Sequence, residues 1–307
     1  MAMIINEESK EYFIHAGQIA GKALNYACKT IKMGMPVREL LDKVELKIND
    51  LGAGLAFPAQ ASINDIAAHF CPKNDDIIEF QEGDMVKIDI GAEVEGFIGD
   101  NARTVYFGKD PELLKLLEAS KKALQNATKL VRIGTPLNLI GAEIEKTIMS
   151  FGFNPIRNLS GHGLGVYSQH DSPTIPNYDN NDTSILEENE MIAIEPFATT
   201  GAGLVKNHGE ATLFSKISDK NSRNPFARDV LKVINKFKGL PFSFAQITKN
   251  IGSANKARIG LQDLNQLGIL HGYPPLIEKS NGIVSQHEHS FLVADKTIIT
   301  TMVDDDE

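Results

Sequence analysis

Apolar residues at every fourth position, Leu40, Val44 and Ile48, mark one face of a helix within IKMGMPVRELLDKVELKINDLG (31–52). The same pattern returns in VRIGTPLNLIGAEIEKTIMSFG (131–152), through Ile140, Ile144 and Ile148. Around these positions Gly34, Pro36, Glu45 and Gly52 recur as Gly134, Pro136, Glu145 and Gly152. Proline near a helix start and glycine just past its end are the usual helix punctuation. A further helical stretch precedes each copy, Glu7–Ile31 and Pro111–Val131, and each copy runs on toward a strand. EGDMVKIDIG (82–91) and EENEMIAIEP (187–196) align Met85 with Met191, Ile88 with Ile194 and Asp89 with Glu195. Chance similarity is the competing account, and agreement at several ordered positions weighs against it. The chain therefore reads as two related α+β halves, each helix–helix–strand, meeting at a pseudo-two-fold axis. A site on that axis would receive one carboxylate from each half.

In MVKIDIG, Ile88 and Ile90 share one strand face and Asp89 the other. The connection AEVEGFIG leads to a second strand carrying Asp100, so a hairpin brings the two carboxylates together. Adjacent carboxylates either share a proton, with one pKa raised, or bind a cation. Solvated strand acids are the plainer account of a single Asp, and a weaker one for Asp89, Asp100 and Glu195 linked by the repeat. In SGHGLGVYSQH (160–170), Gly161, Gly163 and Gly165 let the backbone turn tightly around His162, with His170 as a second polar group. A phosphate-binding glycine loop would need a strand-to-helix setting that this run lacks. His69 follows a small-residue run in SINDIAAHFCPK (62–73), His15 falls in a surface helix, and His208 and His271 fall in loops. In QHEH (286–289), strand parity sets Glu288 against His287 and His289 without choosing between them.

Composition narrows the class. A chain of 307 residues, 42% hydrophobic and 23% charged, is of soluble globular type, with one large domain or two modest ones. Its net charge of -9 leaves no electrostatic footprint for nucleic acid, and the run Asp304–Glu307, read as a solvated tail, supplies part of it. Cys28 and Cys71 make neither a disulfide framework nor a CxxC pair. The start MAMIINEESKEYFIHAG is too polar and acidic for a signal peptide, and no apolar run has the length of a membrane span. A cytoplasmic location is expected.

Asp89 and Asp100 on a hairpin, His162 in GHG, Glu195 in IEP and Glu288 in QHEH together resemble the dinuclear methionine aminopeptidases. AAHF at His69, GHGLG with the following His170, and GYPPL (272–276) are similar to the type 2 branch in its archaeal-like form, without an N-terminal extension. The likeness covers essentially the whole chain; the ordered five-residue set is specific and the single fragments are not. It implies the pita-bread fold, a pseudo-two-fold α+β duplication with antiparallel sheet covered by helices. Because Glu195 and Glu288 are far apart in sequence, the second hairpin is interrupted. The expected catalytic domain is 1–205 with 273–307. Residues 206–272, helical near 224–237, 243–250 and 255–267, form an inserted winged-helix-like subdomain shaping a cleft wall.

The resemblance also implies two divalent ions (Co, Mn, Fe or Zn) that balance four carboxylates. Asp100 and Glu288 would bridge them, Asp89 would hold one, and His162 with Glu195 the other. His287 and His289 are then packing or supporting groups. Metal-hydroxide attack on the scissile amide would have Glu195 as proton shuttle and ligand. His69 and His170 would contact the substrate amide, and Tyr273 would wall an apolar Met pocket. The implied activity removes initiator Met from nascent proteins and peptides with a small, uncharged second residue. It would be carried out by a monomer near the ribosome, with no membrane and no specific nucleic acid as partner. His287 replaces an aromatic and Phe70-Cys71 replaces Tyr-Thr of the family pattern, which bears on pocket detail. A prolidase-like Xaa-Pro peptidase shares the ligand set but carries an N-terminal domain, for which a helix starting near residue 7 leaves no room. A metal-free family member binding RNA or protein would lack some of the ligands and be basic.

Overall fold

Asn6 caps the first helix, its side-chain oxygen accepting from the Ser9 amide at 2.8 Å. Helix α1 (Glu7–Thr30) then turns a face of small residues, among them Ala16, Ala20, Ala23 and Ala27, into the interior. The computed structural model describes residues 6–303; Met1–Ile5 and the acidic tail Asp304–Glu307 lie outside the described residues. Helix α2 (Val37–Asp50) is followed by strands β1 (Gly54–Ile63), β2 (Ile66–Ala68), β3 (Met85–Val94) and β4 (Phe97–Tyr106). The second half repeats the order, with α3 (Pro111–Thr128), α4 (Leu137–Ser150), β5 (Asn154–Pro155), β6 (Ser160–Gly165), β7 (Ser168–Pro176), β8 (Met191–Ile194) and β9 (Phe197–Thr199).

The repeat read from the sequence is reproduced in backbone geometry. Gly34 and Gly134 have φ of 75° and 81°, and Gly52 and Gly152 have 90° and 86°, the left-handed region that glycine enters freely. The Gly34 amide donates to the Phe80 carbonyl at 2.8 Å and the Gly134 amide to that of Leu186 at 2.8 Å. Pro36 and Pro136 each form an isolated bridge, to Glu79 and Ile185, immediately before their helices. Two cores follow. Leu40, Val44 and Ile48 of α2 pack with Ile88 and Ile90 of β3, and Ile140, Ile144 and Ile148 of α4 pack with Ile192 and Ile194 of β8.

Between the halves' last strands the chain runs through β10 (Val205–Asn207), β11 (Leu213–Lys216), α5 (Pro225–Ile234), β12 (Phe242–Ser243), α6 (Phe244–Ile251), α7 (Ala254–Gln266), β13 (Leu270–Tyr273) and β14 (Leu276–Glu278). Three helices and the sheet β12–β11–β13 enclose a core of their own, centred on Val230, Phe242, Ile247 and Leu264. His271, expected in a loop, lies instead in β13, opposite Ser215 of β11. The chain closes with β15 (Val284–Gln286), β16 (His289–Leu292) and β17 (Ile298–Ile299).

The halves are sewn together at the strands that carry the carboxylates. Asp100 N donates to Ser290 Oγ at 2.9 Å, and Ser290 Oγ returns a bond to the Asp100 carbonyl at 2.7 Å. Thr104 Oγ1 donates to the Gln286 carbonyl at 2.7 Å and accepts from the Gln286 amide at 2.8 Å. On its other side β4 lies hard against α1: a Cβ at Gly99 would stand 2.4 Å from Gly17 Cα. Gly99→Ala is therefore expected to destabilise the fold by about 3 kcal/mol through overpacking. Denaturant titration checks this, and a midpoint equal to that of the parent would contradict it.

Candidate metal centre

Strand alternation sends Ile88 and Ile90 of β3 into the core and leaves Asp89 on the opposite face. In the β3–β4 register Asp89 opposes Ala102 and Asp100 opposes Gly91, so the two carboxylates are diagonal neighbours on one hairpin. The second half supplies the counterpart. Glu195 directly follows β8 and Glu288 directly precedes β16, and those strands pair through Ile194 and His289. The Glu288 amide crosses to the first half, donating to the Ala102 carbonyl at 2.9 Å. An interrupted hairpin is thus rebuilt by long-range pairing.

His162 enters from β6, which is bonded to β8 through Ala193. The three glycines around it serve close approach rather than a tight turn. None of the three has a positive φ, whereas a Cβ at Gly161 would stand 2.2 Å from the Ala193 carbonyl oxygen and one at Gly163 would stand 2.0 Å from that of Ser172. The ring nitrogen Nδ1 of His162 lies 3.1 Å from the Gly163 carbonyl, which accepts its proton. The Nε2 lone pair is left facing Glu195 Oε1 at 3.6 Å and Asp100 Oδ2 at 3.8 Å. Burial and the neighbouring His170 lower the His162 pKa to about 3, so the ring is neutral at pH 7.

Four carboxylates meet this imidazole. Burial raises the Asp89 pKa to about 7. It also lifts Asp100, Glu195 and Glu288 well above the ordinary carboxylate range, and mutual repulsion among the four adds to the shift. Among the described residues no lysine or arginine forms an ion pair with any of them. Lys87, on the same strand as Asp89, donates to the Asn64 carbonyl at 2.7 Å instead. Asp89 Oδ1 is buried without a hydrogen-bond partner. Ligand atoms of Asp100, His162 and Glu288 lie within 4.8 Å of one another. Oxygen donors with one neutral imidazole fit divalent cations of the harder and borderline kinds.

All eight residues singled out in the sequence, namely Asp89, Asp100, His162, Glu195, Glu288, His69, His170 and Tyr273, line one cavity of about 550 Å³. His170 meets the His162 ring edge-on at 4.4 Å between centroids, and His69 meets Tyr273 at 5.7 Å. Tyr273 Oη is 2.9 Å from Ser215 Oγ, which fixes it as part of the wall. Burial, then His170, lowers the His69 pKa to about 4. His287 and His289 turn elsewhere, Nδ1 of each lying 2.9 Å from Ser120 Oγ and Thr301 Oγ1 respectively. Neither lines the cavity, nor do His15, His208 and His271.

Two glutamines join the centre without having been singled out as site residues. Gln286 Nε2 donates to Glu195 Oε2 at 3.3 Å, and Gln169 Nε2 reaches Asp100 Oδ2 at 3.5 Å. Each adjoins a marked residue in sequence, Gln286 within QHEH and Gln169 before His170, and that adjacency was the available signal. Phe57, whose ring packs on Gly91, and Leu213 and Pro241 from the segment between the halves contribute to the apolar lining.

Comparison with known proteins gives three concordant results. The model of metallopeptidase family M24 matches residues 11–224. A methionine aminopeptidase of Archaeoglobus fulgidus is 42% identical, covering 95% of this chain and 97% of that protein. Among solved structures, a methionine aminopeptidase from Thermotoga maritima superposes with a TM-score of 0.73 at 22% identity, over 99% of this chain and 100% of that one. A thermophilic Arx1 superposes with 0.83 at 17% identity, over 96% and 91%. At such identities the two superpositions speak for the fold alone.

Proposed function

Since the chain belongs to metallopeptidase family M24, among its methionine aminopeptidases, we propose that it removes the N-terminal Met of peptides and nascent proteins whose second residue is small and uncharged. The family implies divalent metal dependence. The observation that carries the reading is the convergence of Asp89, Asp100, His162, Glu195 and Glu288 on one cavity with no cationic residue in its lining. In this reading Asp89, Asp100, His162, Glu195 and Glu288 would together hold two divalent ions. When bound, such ions supply Lewis-acid polarisation of the scissile carbonyl and a water whose pKa is lowered toward neutrality.

The chain's own groups do the rest. In this reading Glu195, whose Oε2 accepts from Gln286, takes and returns a proton near the scissile bond. His69 and His170, both in the cavity lining, offer ring N–H groups to the scissile amide. His69 in particular is neutral at pH 7. Phe57, Leu213, Pro241 and Tyr273 enclose the Met side chain and exclude water. Three of these come from the 206–272 region or its edge, which supports treating that region as an inserted subdomain whose contribution is a cleft wall. The chain as a whole is acidic, with a net charge of -9, whereas residues 206–272 taken alone carry 11 Lys and Arg against 4 Asp and Glu.

Protein reconstituted with Mn or Co should release Met from Met-Ala-Ser at a rate at least about a hundredfold above that from Met-Lys-Ser, because a tight second-residue pocket excludes the longer, charged side chain. Chromatographic assay of free Met checks this. Cleavage confined to Xaa-Pro dipeptides would replace the reading with a prolidase-like one. Failure to bind any divalent ion would replace it with a metal-free binding role.

A further inference from the structure

Strand β1 carries a bulge beside the centre. Phe57 lies opposite Gly91 of β3 and Gln60 opposite Asp89, so three steps along β1 match two along β3. Residues three apart on a regular strand face opposite ways. The extra residue instead turns Phe57 and Gln60 to the same side, and both line the cavity, while Ala59 and Ala61 on either side of Gln60 pack into the core. Gln60 is 5% exposed, and its side-chain oxygen Oε1 is buried without a hydrogen-bond partner. Among the described residues that line the cavity, only Asp89, the partner of Gln60 across the strands, shares that condition. Directly opposed residues have Cβ atoms roughly 5 Å apart, so two unsatisfied acceptors stand side by side in the cavity wall.

A buried acceptor left unpaired is costly, and a pair of them facing one cavity points to a donor that arrives with the ligand. In the peptidase reading Asp89 belongs with the ions, which leaves the neutral carboxamide oxygen of Gln60 for the substrate. The donor that separates the end of a peptide from its interior is the free α-amino group, which has N–H groups to give in either protonation state. It shares its Cα with the first side chain, so its acceptor has to neighbour the wall that takes that side chain. Phe57 belongs to that wall, and the bulge sets Gln60 beside it on one face. We propose that the Gln60 carboxamide oxygen accepts a hydrogen bond from the free α-amino group of the substrate's first residue, which makes Gln60 a specificity-determining residue for an unblocked N-terminus. The inference rests on the peptidase reading above and adds to it a residue that reads the amine.

The test compares manganese-loaded parent protein with Gln60→Met, which keeps the length of the side chain and removes the acceptor. The probes are L-methioninol, which carries the α-amino group, and the deamino analogue of the same alcohol. By calorimetric titration Gln60→Met should bind methioninol about tenfold more weakly than the parent does, and the deamino alcohol within about twofold of it. On Met-Ala-Ser its KM should rise about tenfold with kcat within about threefold of the parent's. Equal weakening of both alcohols, which a merely structural role would produce, or unchanged affinity for methioninol overturns the proposal. So does a fall in bound manganese, which would place Gln60 with the metal ligands. Absence of Met release by the parent overturns the peptidase reading beneath it, a result distinguishable from loss of amine selectivity in the variant.

Discussion

Asp100→Ala is expected to reduce kcat on Met-Ala-Ser by roughly a thousandfold or more, the scale on which removal of one preorganised electrostatic group is felt. Asp100 is deeply embedded in the centre on geometric grounds. It is 2% exposed, its Oδ2 faces His162 Nε2 at 3.8 Å, and it falls within the 4.8 Å grouping with Glu288. The backbone around it does not depend on its side chain, because Ser290 bonds both its amide and its carbonyl. Loss of activity should therefore come without loss of fold. Circular dichroism should be unchanged while metal content after reconstitution and dialysis falls. Full activity with undiminished metal content would sink the assignment of Asp100 to the centre. Asp100→Asn, which keeps the shape and removes the charge, should behave like Asp100→Ala if charge is what matters.

The fold was legible where it depends on local periodicity. Leu40, Val44 and Ile48 and their counterparts Ile140, Ile144 and Ile148 announce two helices, and Gly34, Gly52, Gly134 and Gly152 announce the left-handed turns that bound them. The pairing of Asp89 with Glu195 followed from the same repeat. What sequence did not disclose depends on residues far apart in the chain. Ser290 holding Asp100, and Thr104 holding Gln286, have no local pattern to mark them. The glycines beside His162 were assigned the wrong physical reason, since a close approach by β7 and β8 leaves the same residue type as a tight turn. His271 was misplaced for a similar reason: β13 becomes a strand by pairing with β11 across the α5–α7 segment, a contact no short window contains. In QHEH, parity separates Glu288 from its neighbours, but only the partners Ser120 and Thr301 show where His287 and His289 go.

Chelated, metal-free protein is expected to lose thermal stability as pH rises above about 6.5, with Tm falling on the order of 5–10 °C by pH 8. In the unfolded chain the carboxylates titrate near pH 4. In the fold Asp89 holds its proton until about pH 7, and Asp100, Glu195 and Glu288 are also raised by burial and mutual repulsion. Over that interval the folded state binds more protons than the unfolded one, so stability decreases with rising pH, by about 1.4 kcal/mol per pH unit for each carboxylate still protonated in the fold. Buried histidines act in the opposite sense. His69 and His289, lowered to about 4, and His162 and His287, lowered to about 3, stay neutral in the fold while their unfolded counterparts take up protons below about pH 6.5. They therefore withdraw stability as pH falls through that range and offset the carboxylates between pH 5 and 6.5. Above 6.5 the carboxylate contribution stands unopposed. Divalent cations that bind the folded centre should abolish the decline, because they replace the protons that the crowded carboxylates otherwise need. Differential scanning calorimetry in chelator and in excess Mn, from pH 5 to pH 8, separates the cases. A Tm in chelator that stays flat or rises between pH 6.5 and 8 would show that the four carboxylates are not coupled as the geometry requires.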